Sequence, residues 1–486
     1  MAEIGSNSIG SDSYHPVPGD IEIGSAVLVN YNKSEKWDLR HIALEFSLYE
    51  SIGSDHLRAD IIIADSLALT TRMPIVGEEV IQLKFRTPNA NSQVDNKWIE
   101  ATLVVVRMDH LQPTNVRTGH YKLTAISQVG MANLPQMVAK SFGPAKISDM
   151  AKQIADQYLG VKGQKIIVEP TQGLHKFAIP YKSPLQALHF LAREAQVEAG
   201  KVSDYVVYED HERLNFRTVQ SMLVQPPAAT YYVTEHSLPQ LPGSSGTGVI
   251  QTSAETGGDS GNTNPKEWRY ITNLAFVHNF DVEKAIASGM YDNTVWVVDP
   301  IMQKFIPINL DGQRSHFLYD KHFGLFKQSF QRSPNKLHSA SAPMAKFAGL
   351  SHVRFLVTNK FQDEQKLRIN HRKRHDHLPL TVSAFQQADF IIAELTIPGD
   401  SNRKAGDIIH FDLHEFGATD DVIGEINKYI SGGFLIYSIR NKVTFNGYYS
   451  THIECIKTCY ENKIERAPTT QGSSEIIPTT PTITGV

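Results

Sequence analysis

The chain has 486 residues, 41% apolar and 20% charged, a balance that excludes wholesale disorder and collagen-like repeats. Its 47 Lys and Arg against 51 Asp and Glu give a formal net charge of −4, so the chain as a whole carries no basic footprint for nucleic acid. No apolar run approaches the roughly 18 residues that span a bilayer. The two cysteines, Cys455 and Cys459, make no disulfide framework, which points to a reducing folding compartment.

Residues 1–20 are rich in Gly, Ser and Asp without periodicity, and read as a flexible N-terminal arm. They show neither the basic nor the apolar region of a secretory signal. Residues 21–140 are β-rich. Strands are predicted at Val27–Val29, Ala43–Tyr49 and Leu57–Ala64, and then at Val80–Phe85, Trp98–Val106 and Tyr121–Ile126. Turn residues separate them: Pro74 and Gly77, Pro88 to Asn96, Pro113 to Gly119. Many short strands at this spacing predict a sandwich or barrel.

Residues 141–223 change character and read as a small α+β module. Ile147, Met150, Ala151, Ile154, Ala155, Tyr158 and Leu159 recur at helical spacing, with Ser148 as predicted N-cap and Gly160 as stop. A second helix is predicted from a Ser183 cap and Pro184 to Gly200, with Leu185, Leu188, Leu191, Ala192 and Ala195 as its apolar stripe. Tyr205–Glu209 and Leu214–Arg217 flank Asp210-His211-Glu212 as a hairpin. Residues 224–265 contain PPAAT, LPGSSGTG and ETGGDSGNTNP, too long for an ordinary connection, and read as a polar linker or insertion.

Residues 266–465 form a second β-rich segment with additional helices. Asp281–Ser288 predicts a short helix stopped by Gly289. Strands are predicted at Asn293–Val298 and Val353–Val357. Val382–Leu395 fits either a helix or a helix running into a strand. Closing strands fall at Asp407–Leu413, Gly433–Ile439 and Tyr448–Ile456, with Asn441-Lys442 and Asn446-Gly447 as turn chemistry. Residues 466–486, rich in Thr and Pro, read as a flexible tail. The predicted fold class is mainly β with an α+β insert.

Candidate chemistry is sparse. His371-Arg372-Lys373-Arg374-His375-Asp376-His377 could hold a metal or phosphate, but its three fixed cations oppose a metal; a solvated basic loop fits it best, with contact to DNA or an acidic partner as the other reading. Cys455 and Cys459 supply only half of a zinc set. No GxSxG elbow, phosphate loop or dinucleotide fingerprint occurs, and Gly243 to Gly248 lies in a polar loop. Glu78-Glu79 and Asp420-Asp421 are adjacent carboxylates, which suit charge solvation better than a glycosidase pair. Tyr231-Tyr232 and Tyr448-Tyr449 could line a sugar or stack a base, or be plain strand residues. No catalytic, cofactor-binding or metal residue is assigned.

Four segments in order carry a family resemblance. Arg72-Met73-Pro74-Ile75-Val76-Gly77-Glu78-Glu79-Val80 leading into Ile81–Phe85 resembles the opening of the first tube-like barrel of baseplate central hub proteins of contractile-tailed bacteriophages. Ile147–Leu159 followed by Pro184–Ala195 resembles that family's small domain. Phe280-Asp281 to Gly289-Met290-Tyr291 is similar to its later short helix and turn. Ala405-Gly406-Asp407, Tyr429–Ile436 and Thr451–Ile456 resemble the closing strands of the second barrel.

The resemblance covers roughly residues 60–465 and implies two tube-like β-barrel domains, 21–140 and 266–465, around the small module. It implies a non-enzymatic homotrimer that adapts a sixfold tail tube to a threefold central spike. The implied partners are a separate trimeric spike protein, a tail tube protein or tube initiator, other inner baseplate proteins and a tape measure protein. Phage DNA would pass the lumen without sequence-specific binding. The implied location is the virion tail baseplate, assembled in the host cytoplasm. Type VI secretion spike proteins share the N-terminal architecture. The alternative is a carbohydrate-binding or hydrolytic tail protein.

Overall fold

Period-two alternation drives the first half of the chain. In the computed structural model it yields Glu22–Val29 (β1), Lys36–Asp38 (β2), Ala43–Ser51 (β3) and Arg58–Asp65 (β4). A short helix, Leu69–Arg72 (α1), precedes Val80–Arg86 (β5), Ile99–His110 (β6) and Gly119–Ser127 (β7). The structure describes residues 16–30, 35–66, 69–72, 74–89, 96–110, 118–197, 202–233, 267–279, 281–289, 293–299, 303–309, 350–354, 378–388, 390–413, 426–427, 429–445 and 447–458. The basic run 371–377, the glycines of 243–248, Asp420, Asp421, Cys459 and the tail 466–486 lie outside them, as do residues 1–15 and 234–266.

Two further runs build the module and the second half. Gln128–Asn133 (α2), Val138–Ala145 (β8), Ile147–Leu159 (α3), Ile166–Val168 (β9), His175–Lys182 (β10), Pro184–Glu194 (α4), Tyr205–Glu209 (β11), Leu214–Thr218 (β12) and Val219–Leu223 (α5) form the module. Then come Ala229–Tyr232 (β13), Asn273–His278 (β14), Val282–Ala287 (α6), Asn293–Asp299 (β15), Lys304–Asn309 (β16) and Leu350–Arg354 (β17). Leu378–Gln387 (α7), Ile391–Pro398 (β18), Ile408–Asp412 (β19), Gly432–Thr444 (β20) and Tyr448–Lys457 (β21) follow. The fold is mainly β with a small helical part.

Thirteen strands join in one sheet, in the order β14-β18-β21-β20-β3-β4-β7-β6-β5-β1-β2, with β13-β19 attached to β20. The first half of this sheet curls on itself. In sheet order β21 and β5 are six strand spacings apart, about 29 Å if flat. Yet the Tyr449 ring on β21 meets Phe85 on β5 edge-on at 5.7 Å between centroids. Phe46, Leu48, Ile61, Leu83, Leu103, Leu123 and Val443 fill the enclosed space, so burial of these alternate side chains drives the curl. Thr87 closes the seam: its Oγ1 donates to the Gly399 carbonyl at 2.8 Å and accepts from Ser401 N at 2.9 Å.

A second core lies on the other half of the sheet, where Phe411 and Phe434 stack at 4.4 Å among Leu274, Leu395, Ile409 and Ile453. A third core belongs to the module: Met150, Ile154, Leu188 and Leu191 from α3 and α4 pack with Val207 and Phe216 of the β11–β12 hairpin. The strands β15, β16 and β17 make a separate small sheet, on which α7 packs through β15.

Several local expectations are corrected. Ser148 does not cap α3: Lys146 holds the N-cap position, while buried Ser148 donates its backbone N–H to Thr171 Oγ1 at 2.9 Å. Gly160 does end α3, in the left-handed region at φ 68°. Helix α4 stops at Glu194, six residues before Gly200, because Ala195 turns extended and buries its methyl in the module core. Asn441 and Lys442 lie within β20, and the turn that follows includes Gly447, with φ 95°, while Asn446 lies outside the described residues. The 382–395 ambiguity resolves as helix then strand. Strands β8 and β10 lie outside the predicted elements; among the described residues they form a two-stranded sheet, with register shifts at Gly143-Pro144 and Pro180.

Candidate interface

The long strands β20 and β21 run through both halves of the molecule. Residues Gly432–Leu435 of β20 pair with β19, and Ser438–Thr444 of the same edge pair with β3. A bulge between Ile436 and Ser438 separates the two stretches. Ile439 and Ile453 point into the second core while Val443 and Tyr449 point into the first. One strand pair therefore belongs to both cores, and the two halves share one hydrogen-bonded sheet.

The opposite face of that sheet is polar. Glu45 on β3 pairs with Arg440 Nη2 at 3.3 Å and Lys442 Nζ at 3.0 Å. Asp60 on β4 pairs with Arg58 at 3.3 Å and Lys122 at 3.8 Å, and accepts from Thr124 Oγ1 at 2.9 Å. Arg107 and Asp109 pair at 2.8 Å on β6. The Arg440 guanidinium also lies over the Tyr49 ring, 5.5 Å from its centroid. His452 meets Thr396 Oγ1 at 3.0 Å; burial, with Arg440 and Lys442 nearby, lowers its pKa and favours the neutral ring. Each such exposed pair contributes little stability, ~0.2–1 kcal/mol. Their consequence is electrostatic: across β3, β4, β6, β7 and β20 each of these carboxylates is met by at least one cation, so five cations are offset in part by three acids.

At the edge of this face the pattern changes. Glu394 on β18 stands directly opposite Glu454 on β21. Glu454 accepts from Ser438 Oγ at 3.0 Å, and neither carboxylate is ion-paired among the described residues. Beside them lies an apolar pocket of about 450 Å³, walled by Phe385 and Ala388 of α7, Ile392 of β18, Tyr437 of β20 and Ile456 of β21.

A buried ionic junction docks the module hairpin against the shared sheet. His211 Nδ1 meets Glu50 Oε1 at 2.8 Å, with both side chains almost wholly enclosed. Burial disfavours the imidazolium, but the facing Glu50 carboxylate overrides this and raises the His211 pKa. Glu209 accepts from Leu57 N at 3.0 Å and from Ser127 Oγ; burial pushes its pKa up to about 7. Glu212 is held low despite its partial burial by Lys404 and Arg213. Lys404 also reaches Asp210 at 3.6 Å, and Lys97 reaches Glu212 at 3.3 Å. A buried carboxylate–histidine pair also occurs in active sites. Here the enclosure of Glu50 and His211 makes it a docking device.

The tyrosines and carboxylates singled out from sequence fall differently. Tyr231 and Tyr449 are buried, donating to Asp400 Oδ2 and Asn441 Oδ1, each at 2.8 Å, so neither can stack a sugar or a base. Tyr232 and Tyr448 remain partly exposed. Glu79 is not a solvated partner of Glu78: it is fully buried and accepts from Val76 N and Gly77 N, both at 2.9 Å, fixing the turn before β5. Cys455 is a core thiol, its pKa raised by burial. Glu50 and Glu209 escaped sequence reasoning although a signal exists. Each occupies an inward position of an alternating strand, after Phe46 and Leu48 or after Tyr205 and Val207, where a carboxylate demands a buried partner.

No family model matches the chain, and no curated protein matches it. Solved structures that resemble it are phage tail proteins and type VI spike-related proteins. The tail protein from Neisseria meningitidis MC58 aligns at 10% identity over 90% of this chain and 98% of its own, with a TM-score of 0.48. The 43 kDa tail protein of prophage MuSo2 from Shewanella oneidensis aligns at 10% identity over 90% and 98%, with a TM-score of 0.45. The E. coli c3393 protein, a type VI secretion component with similarity to T4 bacteriophage tail proteins gp27 and gp5, aligns at 10% identity over 92% of this chain and 79% of its own, with a TM-score of 0.37. At these identities and TM-scores the likenesses assign no role to the chain.

Proposed function

We propose that the chain is a structural protein of a phage tail, the baseplate hub, three copies of which close into a ring between the sixfold tube and a separate threefold spike. The observation that carries this reading is the single sheet shared by two β halves through β20 and β21, with Ile439, Val443, Tyr449 and Ile453 turned to the cores and a run of ion pairs on the opposite face. The ordered resemblance of four sequence segments supports it independently. Three copies would supply six β halves, matching a sixfold tube, and cyclic closure would bury free strand edges that otherwise invite aggregation.

In this reading the charge-paired face lines the channel. A polyanion passing a strongly basic wall would be held by counterion release. Side chains such as Arg440 and Lys442 share the Glu45 carboxylate, which offsets part of their attraction for the polyanion. The role calls for positioning and a smooth bore, and no residue is assigned to catalysis. The test is the mass of the purified chain by light scattering, alone and with its candidate spike protein. Three chains, either alone or on adding the spike, support the hub; a monomer in both conditions contradicts it.

A further inference from the structure

We infer that the pocket between α7 and the shared sheet is a docking site for a partner protein segment that presents an apolar anchor followed by an arginine or lysine. The inference goes beyond the hub reading and does not depend on ring formation. The pocket, about 450 Å³, is walled by α7 and by β18, β20 and β21 of the sheet, with Val206 of β11 and Val219 of α5 closing it on the module side, and Glu454 is the charged residue lining it. Phe385, 39% exposed, stands at its wall on a helix that otherwise buries Ala384 and Gln387.

Charge identifies the occupant. Elsewhere on this face Glu45, Asp60 and Asp109 each have a cation. Glu394 and Glu454 stand opposite each other in the ladder with none among the described residues. Like charges directly opposed on adjacent strands are unfavourable, and a cation placed between them relieves this. A guanidinium or ammonium reaching both carboxylates, with an aliphatic or aromatic neighbour filling the apolar space beside Ile392 and Ile456, satisfies both features at once. An acidic or purely apolar segment satisfies only one.

The test uses the full chain and two fluorescent capped peptides, one alternating leucine with arginine and one alternating leucine with glutamate, read by anisotropy. Saturable binding of the arginine peptide, at least tenfold tighter than the glutamate peptide, is expected. The double variant Glu394→Gln with Glu454→Gln should weaken it at least tenfold. Ala388→Trp, which fills the pocket without changing charge, should abolish it. Circular dichroism checks that both variants fold, and the carboxamide variant should melt no lower than wild type. Equal affinity for the two peptides, absence of saturation, or binding indifferent to both variants would overturn the proposal. Two further results would overturn the choice of occupant. Self-association lost in both variants would identify a second copy of the chain. Binding that appears only after Arg372, Lys373 and Arg374 are replaced by serine would identify the chain's own basic run.

Discussion

At Glu209 a carboxyl group is drawn into the junction between module and sheet, where it keeps its proton up to a pH of about 7. Unfolded, it would release that proton near its ordinary value of 4.5. The folded chain therefore binds more protons between these values, and this group's contribution to stability falls as pH rises through that window. His211, also raised, adds a loss of the same sign as pH rises above its unfolded value of 6.5. Glu212, held low, acts in the opposite sense and loses its contribution only as pH falls below 4.5. The expected outcome is a urea midpoint that declines from pH 5 to pH 8. In Glu209→Gln, which keeps both acceptor contacts, the corresponding fall in unfolding free energy should shrink by about 3 kcal/mol. A midpoint slope unchanged by the substitution would contradict this assignment.

Close packing makes a second residue-scale demand at Gly399. A Cβ there would lie 1.9 Å from the Tyr449 ring, which is wholly buried and cannot retreat. Gly399→Ala should cost about 3 kcal/mol by overpacking, read as a lowered denaturation midpoint. Asn441, buried where the two cores meet, accepts from the Tyr449 hydroxyl at 2.8 Å and from Thr451 Oγ1 at 3.1 Å. Asn441→Ala should cost about 1–3 kcal/mol by stranding both donors, and Tyr449→Phe should recover part of the difference in a double-mutant cycle.

Among the elements, α3 and β20 show why some were readable and others were not. The stripe of α3 and the glycine after it are local signals, and both survive in the fold. Gly160→Ala should cost about 1 kcal/mol because φ 68° strains any Cβ even where space is open, a difference chemical denaturation can resolve. The cap of α3 was misplaced because Ser148 answers to Thr171, a partner 23 residues away. Strand β20 read as seven residues ending at a turn. It runs for thirteen, since the Asn441 side-chain oxygen is met by cross-strand hydroxyls that no local pattern reveals. The opposition of Glu394 and Glu454 is likewise a matter of register, fixed by the pairing of β18 with β21 between residues far apart in the chain.

For the whole molecule, the mainly-β class and the mixed module were legible because alternation and helical periodicity are dense there. The fusion of the two β halves was not. It depends on a bulge at Tyr437 that lets one strand edge serve β19 and then β3. That fusion orients the ion-paired face as one surface, and the proposal's central claim is that this surface lines a threefold ring. The most direct measurement is a cryo-electron microscopy reconstruction of the chain assembled with its candidate spike protein. The account predicts a closed threefold ring with Arg440, Lys442 and Lys122 facing the axial channel. A reconstruction with those side chains on the outer surface, or an assembly that does not close, would contradict it.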